Sequence, residues 1–258
     1  MIDVCISWFL LVFQIILVGL ALDLIKRVQL KWLANRGLYK VRGIDAYIGT
    51  PIHEFGHYIF AKLFGFKVVE TQFFPRKLTQ NGDGTVTLGF VKWARGKKRL
   101  TDSVGFLFVG IAPFLSGSAV IVLVAYLLEP AFFTTVSKEL LLRTVDTDLF
   151  RAILSNLDIL ITGLASLSIL SWRFLVFILL TYMVANHITL SKPDLKIAIT
   201  GLVQVSIIIC GLSYFEVLRP YIGTGIGIIS LAASIVLALC IVAQILSLII
   251  VFIRCKIS

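Results

Sequence analysis

His53-Glu54-Phe55-Gly56-His57 is the one place in the chain where two imidazoles and a carboxylate fall within five residues. It reads H-E-x-x-H. On a helix, side chains four apart lie on one face, so His53 and His57 can present both rings to one zinc ion, Zn2+. Glu54, one residue along, can reach a water on that metal. Zinc lowers the pKa of such a water to about 7. A carboxylate beside it can take the proton as hydroxide attacks a peptide carbonyl, then return it to the leaving nitrogen. The alternative is three core polar residues that match a short pattern. Two features weigh against it. Two of the three histidines in the whole chain are here. The surroundings are also oily, and there an ionised group costs on the order of 2.5–3.5 kcal/mol and marks a functional site.

A catalytic zinc keeps three protein ligands and one open position. Two candidates for the third sit together in "ANHITLSKPDLK": His187 and Asp194. His187 also fits a histidine at a helix end, bonded to a carbonyl or to water. Asp194 also fits an N-cap, because Pro193 disfavours helical geometry at Lys192 and a helix starting near Leu195 would be capped well by aspartate. Spacing does not choose between them.

The elements that must position these groups are set by hydrophobicity. The chain of 258 residues is 59% hydrophobic and 15% charged, against about 25% charged in soluble domains. Val4–Leu22, Val104–Leu128, Ile197–Phe215 and Pro220–Ile253 carry no charge. About 20 apolar residues cross the hydrocarbon core, so each is a candidate span. Ile44–Phe64, which holds the motif, and Phe174–Leu190 are weaker ones. The expectation is an all-α polytopic membrane protein with about six transmembrane helices. Val4–Leu22 lacks a basic leading region and reads as a retained helix, not a signal peptide. The net charge of +10 fits cytoplasmic loops and anionic lipid headgroups, not nucleic acid. Cys5, Cys210, Cys240 and Cys255 have no paired spacing and read as free thiols.

Thr50-Pro51 precedes the motif. Either a helix starts there, with Thr50 as N-cap and Pro51 at N1, or it starts near Ile44 and kinks at Pro51. Beyond it, Val68–Phe73 and Thr85–Val91 are rich in β-branched and aromatic residues, with turn residues Asn81-Gly82-Asp83-Gly84 between them. That pattern predicts a β-hairpin. Phe73, Phe74 and Phe90 make it greasy, so it should dip into the headgroup region or pack on the helices. Glu129–Trp172 is too short for an inserted domain of about 50–250 residues. Its apolar half, Ile153–Trp172, is expected to lie on the membrane surface as an amphipathic helix, with a further span as the alternative. The basic stretches Lys26–Arg42 and Lys92–Arg99 flank the motif helix, so the positive-inside rule gives a balanced vote on orientation.

The stretch from His53 to Trp93 resembles the site-2 protease family, the peptidase M50-like intramembrane zinc metalloproteases. That family tends to read H-E-x-G-H, a phrase like "AKLFG-KV", a hairpin and "GYVKM". This chain reads "HEFGHYIFAKLFGFKV", the hairpin and "GFVKW". "GIAPFLSG" (Gly110–Gly117) is similar to the family's "AGPxxN" phrase: Pro113 matches, Ala112 replaces the glycine, and Ser116 stands where the asparagine would be. Asn186 and Asp194 have the separation of the Asn and Asp in the family's "NLLPIPPLDGG". There Leu195 replaces a glycine, and Thr189, Ser191 and Lys192 replace prolines. The likeness covers the three core helices and the hairpin.

The resemblance implies a single membrane-embedded metalloprotease domain over 1–258. Its catalytic core would be about 44–128 and 172–215, its hairpin about 67–93, and its extra helices 4–22 and 220–253. It makes Glu54 the general base and Asp194 the third ligand, with His187 as the alternative. It gives Asn186 the task of holding substrate backbone or an active-site carbonyl. It also implies that the hairpin edge receives an unwound stretch of a substrate's transmembrane segment, which agrees with strand addition as a recognition mode. The site would open toward the cytoplasm of a multi-pass protein of the cell membrane, leaving Lys26–Arg42 outside. Many relatives carry a PDZ domain, for which this sequence has no room.

Two other functions compete. A membrane-embedded metalloprotease cutting soluble or surface-exposed chains would place a glutamate ligand on a later helix. Beyond the hairpin there are Glu129, Glu139 and Glu216, none in a partner motif. A non-catalytic metal-binding protein or transporter would need polar groups along a pathway. Gln14, Gln204 and Gln244 are sparse, and such residues usually serve helix contacts.

Overall fold

Three of the four long uncharged runs lie wholly or mostly in unbroken helices of 21 to 39 residues. The computed structural model of the protein describes residues 2–34, 43–74, 79–80, 86–87, 89–96, 101–142, 158–159, 161–168, 170–188 and 191–257. In chain order it contains α1 (Ile2–Ala34), α2 (Gly43–Leu63), β1 (Lys67–Gln72), β2 (Thr79–Gln80), β3 (Val86–Thr87) and β4 (Phe90–Ala94). These are followed by α3 (Asp102–Gly110), α4 (Ala112–Leu128), α5 (Pro130–Leu142), α6 (Trp172–Ala185), α7 (Lys192–Leu212) and α8 (Arg219–Ile257).

Among the described residues, 3 helices are long and apolar enough to cross a membrane: Ile2–Val28, Pro193–Leu212 and Arg219–Val242. A fourth is counted if α3 and α4, bent by 54° at their junction, form one broken span. This is fewer than the expected six, for three physical reasons. α2 carries Asp45, Glu54, Lys62 and two histidines in 21 residues, which dilutes its hydropathy. α6 has 14 residues and so reaches about 21 Å at 1.5 Å per residue, short of a roughly 30 Å core. Val104–Leu128 is broken at Ile111, because Pro113 falls in the first turn of α4 and cannot continue a helix entering from α3.

α2 runs unbroken through Pro51, so the helix begins well before Thr50. α7 starts at Lys192 and not near Leu195. Its N-cap is Ser191, and Pro193 lies in the first turn, where its missing N–H is no loss. Ile153–Trp172 does not form one surface helix: among its described residues helix is confined to 158–159 and 161–165, before Trp172 opens α6. The piece packs inward instead. Ile159 is fully buried, and a Cβ on Gly163 would meet Val136 and Phe132 of α5 at 2.7 and 2.9 Å.

β1 and β4 pair antiparallel from Lys67↔Ala94 to Gln72↔Phe90, with an irregularity between Val68 and Glu70. β2 and β3 form a second antiparallel pair, Thr79↔Thr87 and Gln80↔Val86. The predicted turn at Asn81–Gly84 lies outside the described residues. The base of the hairpin is packed on helices. Phe66, Trp93 and Phe106 stack with centroids 4.8, 5.4 and 5.9 Å apart. Arg95 covers the Phe106 ring and donates to Asp102 at 2.7 Å, so the strand end is tied to the start of α3 by cation–π and charged contacts.

α2 packs against α3, α4 and α6; α3 lies along α7, and α1 along α8. Phe114, Ile121, Phe177, Val184, Leu239 and Cys240 form the centre of the core. Phe9, Phe13 and Leu17 of α1 and Val203 and Ile207 of α7 stay exposed, a breadth of apolar surface that suits lipid better than water. Cys5, Cys210 and Cys240 are free thiols.

Candidate metal centre

α2 and α7 bring His53, His57 and Asp194 together, one donor atom from each lying within 4.8 Å of the others. His57 Nε2 stands 3.3 Å from Asp194 Oδ1, and His53 Nε2 stands 3.9 Å from Asp194 Oδ2. The two Nε2 atoms are 3.3 Å apart. His57 and Asp194 are buried, while His53 is partly exposed. The remaining ring nitrogens meet main-chain carbonyls. His53 Nδ1 donates to His187 O at 2.7 Å, and His57 Nδ1 donates to Val109 O at 2.8 Å. A carbonyl can only accept, so each ring carries its proton on Nδ1 and turns an Nε2 lone pair inward. Two lone pairs and a carboxylate then share one small space. A cation is what such a set lacks, and two imidazole nitrogens with a carboxylate oxygen match the ligand chemistry of zinc.

The local sequence explains why those carbonyls are available. Val109 O would bond the N–H four residues on, but residue 113 is proline and has none. The break that shortens α3 thus leaves an acceptor where His57 arrives. His187 lies in the turn after α6, where helix carbonyls lack ladder partners. Asp194 is fixed by Ser191 in a capping box: the Ser191 N–H and hydroxyl donate to Oδ2 at 3.1 and 2.6 Å. Asp194 is therefore not the N-cap. It sits at N3, with Oδ2 serving the cap and Oδ1 facing His57.

Close packing holds α2 in place. A Cβ on Gly56 would lie 2.5 Å from Ser116 Oγ and 2.8 Å from Ala112 O, so α4 approaches the motif at its glycine. Ser116 donates to the Ile52 carbonyl at 2.9 Å, one turn before.

Glu54 is 8% exposed and lies under the hairpin. A Cβ on Gly89 would lie 2.7 Å from Thr50 Cγ2, 2.8 Å from Gln72 O and 2.9 Å from Glu54 Cγ. The residue just before β4 therefore approaches α2 at Thr50 and the Glu54 side chain. Gly89 was not foreseen as a site residue, although a glycine inside the expected strand Thr85–Val91 signals close approach of another group.

The side chain of His187 does not join the cluster. Its Nε2 lies 3.8 Å from Asp45 Oδ2 and its Nδ1 3.5 Å from Thr50 Oγ1. Asn186, 5% exposed, donates to Asp45 Oδ2 at 3.2 Å and accepts from Gln244 Nε2 at 2.6 Å. Asp45 carried no signal in the sequence beyond its place in a helix's first turn. Comparison with models of known protein families, with curated proteins and with solved structures finds no match.

Proposed function

We propose that this protein is a zinc-dependent intramembrane endopeptidase of the site-2 protease type, cutting peptide bonds in or near transmembrane segments of membrane proteins. The observation that carries the reading is the convergence of His53, His57 and Asp194, with Glu54 next to the first ligand and beneath the hairpin at Gly89. On this reading α2, α6 and the bent pair are membrane-embedded beside the three long spans, which accounts for about six crossings in a bilayer.

His53, His57 and Asp194 would hold the ion. When bound, zinc supplies Lewis acidity that makes water a nucleophile near neutral pH. The chain's own groups do the rest. The carbonyls of His187 and Val109 keep both imidazoles in the ligating tautomer. The Glu54 carboxylate accepts a proton from the attacking water and delivers it to the departing amide nitrogen. Its burial under Gly89 keeps bulk water from competing. An extended substrate segment adds to the hairpin edge by main-chain hydrogen bonds. A helix hides its peptide bonds, so the target must first unwind, and helix-breaking residues near the cut lower that barrier.

The test is Glu54→Gln in the full chain, reconstituted with a membrane-embedded substrate. Zinc content should match wild type, while cleavage falls by at least about 10²-fold, the usual contribution of a positioned general base. Cleavage at the wild-type rate would rule out Glu54 as the base. A wild-type protein that takes up zinc and cuts no membrane substrate would favour the non-catalytic alternative.

A further inference from the structure

A second group of buried polar side chains adjoins the metal ligands through His187. Asp45, Thr50, Asn186, His187 and Gln244 are 8%, 3%, 5%, 6% and 0% exposed. They come from the first turns of α2, the turn after α6, and α8. Gln244 Nε2 donates to Asn186 Oδ1 at 2.6 Å, and Asn186 Nδ2 donates to Asp45 Oδ2 at 3.2 Å. The same Asp45 oxygen lies 3.8 Å from His187 Nε2. The His187 ring is wedged against α2, since a Cβ on Gly49 would lie 2.5 Å from its Cγ. From this residue the main-chain oxygen accepts the His53 Nδ1 proton at 2.7 Å.

Burying polar groups away from water is costly, and the hydrogen bonds from Gln244 to Asn186 and from Asn186 to Asp45 offset part of that cost and fix the side chains that make them. Among the described residues, α8 reaches other helices through polar side chains at two contrasting places. Near its first half, Ser234 and Ser230 meet Gln14 of α1 at 2.6 and 3.3 Å. That contact joins two spans and touches no site residue. The second, through Gln244, ends on the residue beside the carbonyl that orients a metal ligand. A contact made only to bind helices together has no need of that address.

We infer that Asp45 and Gln244 are positioning residues for the metal centre. Through Asn186 they hold the Asn186–His187 turn so that the His187 carbonyl meets His53 Nδ1, which makes α8 part of the site. The inference rests on the reading that the centre binds zinc. Partners that orient a ligand in this way change metal affinity or activity by about 10–100-fold when removed.

The readout is the zinc dissociation constant of the purified full chain, measured by competition with a chromophoric chelator and paired with the unfolding temperature of the metal-free protein. Gln244→Leu and Asp45→Leu should each weaken zinc by about 10–100-fold. Asp45→Asn, which keeps an acceptor for Asn186, should restore most of that loss. Gln14→Leu should lower the unfolding temperature and leave zinc affinity at the wild-type level. Should one leucine variant fail to fold, the other, on a different helix, still decides. Wild-type affinity in the leucine variants overturns the positioning role while leaving the metal centre intact. So does a Gln14→Leu variant that weakens zinc as much as Gln244→Leu, since loosening α8 anywhere would then suffice. No zinc uptake by the wild-type chain overturns both readings.

Discussion

At the scale of single residues, geometry separates the two candidates for a third ligand that spacing left equal, since Asp194 and not His187 joins the group that could hold a metal ion. Asp194 Oδ1 lies 3.3 Å from His57 Nε2, whereas the His187 ring faces Asp45 and Thr50, 3.8 and 3.5 Å away. Asp194→Ala should therefore lose zinc on dialysis. His187→Ala should keep more of it, because its contribution to His53 is a main-chain oxygen that alanine also has. Elemental analysis of both variants checks this; loss in the histidine variant alone would reverse the assignment. The histidine pair was legible in the sequence because a four-residue spacing is local and one helix enforces it. Asp194 was legible only as one of two candidates, since its approach to α2 depends on how α7 is docked. The role of Ser191 was missed: the capping pattern S-x-x-D was present, but Pro193 drew the helix start three residues too late.

At the scale of elements, the hairpin matters for where it lands. Gly89, just before β4, lets the chain sit on Thr50 and Glu54, and any side chain there would strike Glu54 Cγ and the Gln72 carbonyl. Gly89→Ala should displace the carboxylate without touching a ligand. Cleavage is then expected to drop by about 10–10²-fold, as for a misplacement near 1 Å, with zinc content unchanged; equal activity would show that the contact is slack. The strand that pairs with β1 is Phe90–Ala94, later than the expected Thr85–Val91, but the first strand and the antiparallel pairing could be read from β-branched residues around a glycine-rich turn. The docking of the ribbon on α3 could not, because it is made by Phe66, Trp93 and Phe106, which meet only in the folded chain. Among the described residues fewer helices than the expected six are long and apolar enough to cross on their own, for a related reason. Absence of charge marks a stretch that tolerates lipid, but Pro113 decides where its helix is interrupted, and α6 ends sooner than its apolar run.

At the scale of the whole molecule, the polar groups lie inward and the apolar faces of α1 and α7 outward, as a bilayer requires. If the proposed function holds and the centre opens toward the cytoplasm, the chain between α5 and α6 should lie on the other side. A single-cysteine tag at position 150, on a background with the native thiols replaced, should react with an impermeant maleimide from outside intact cells. Labelling only after the cells are opened would invert the topology. The basic stretches could not decide this, since they lie on both flanks of α2.

Asp194 has a second duty that sets a condition on everything around it. The oxygen held by Ser191 starts a helix and its twin faces the imidazoles, so the first turn of α7 cannot fray without carrying the carboxylate away from them. On the proposed reading, loading the centre would favour the wound form of that turn, because the turn already holds the carboxylate in place. The readiness of the site is governed by the firmness of a helix end, and the carboxylate is already immobilised before any cation arrives.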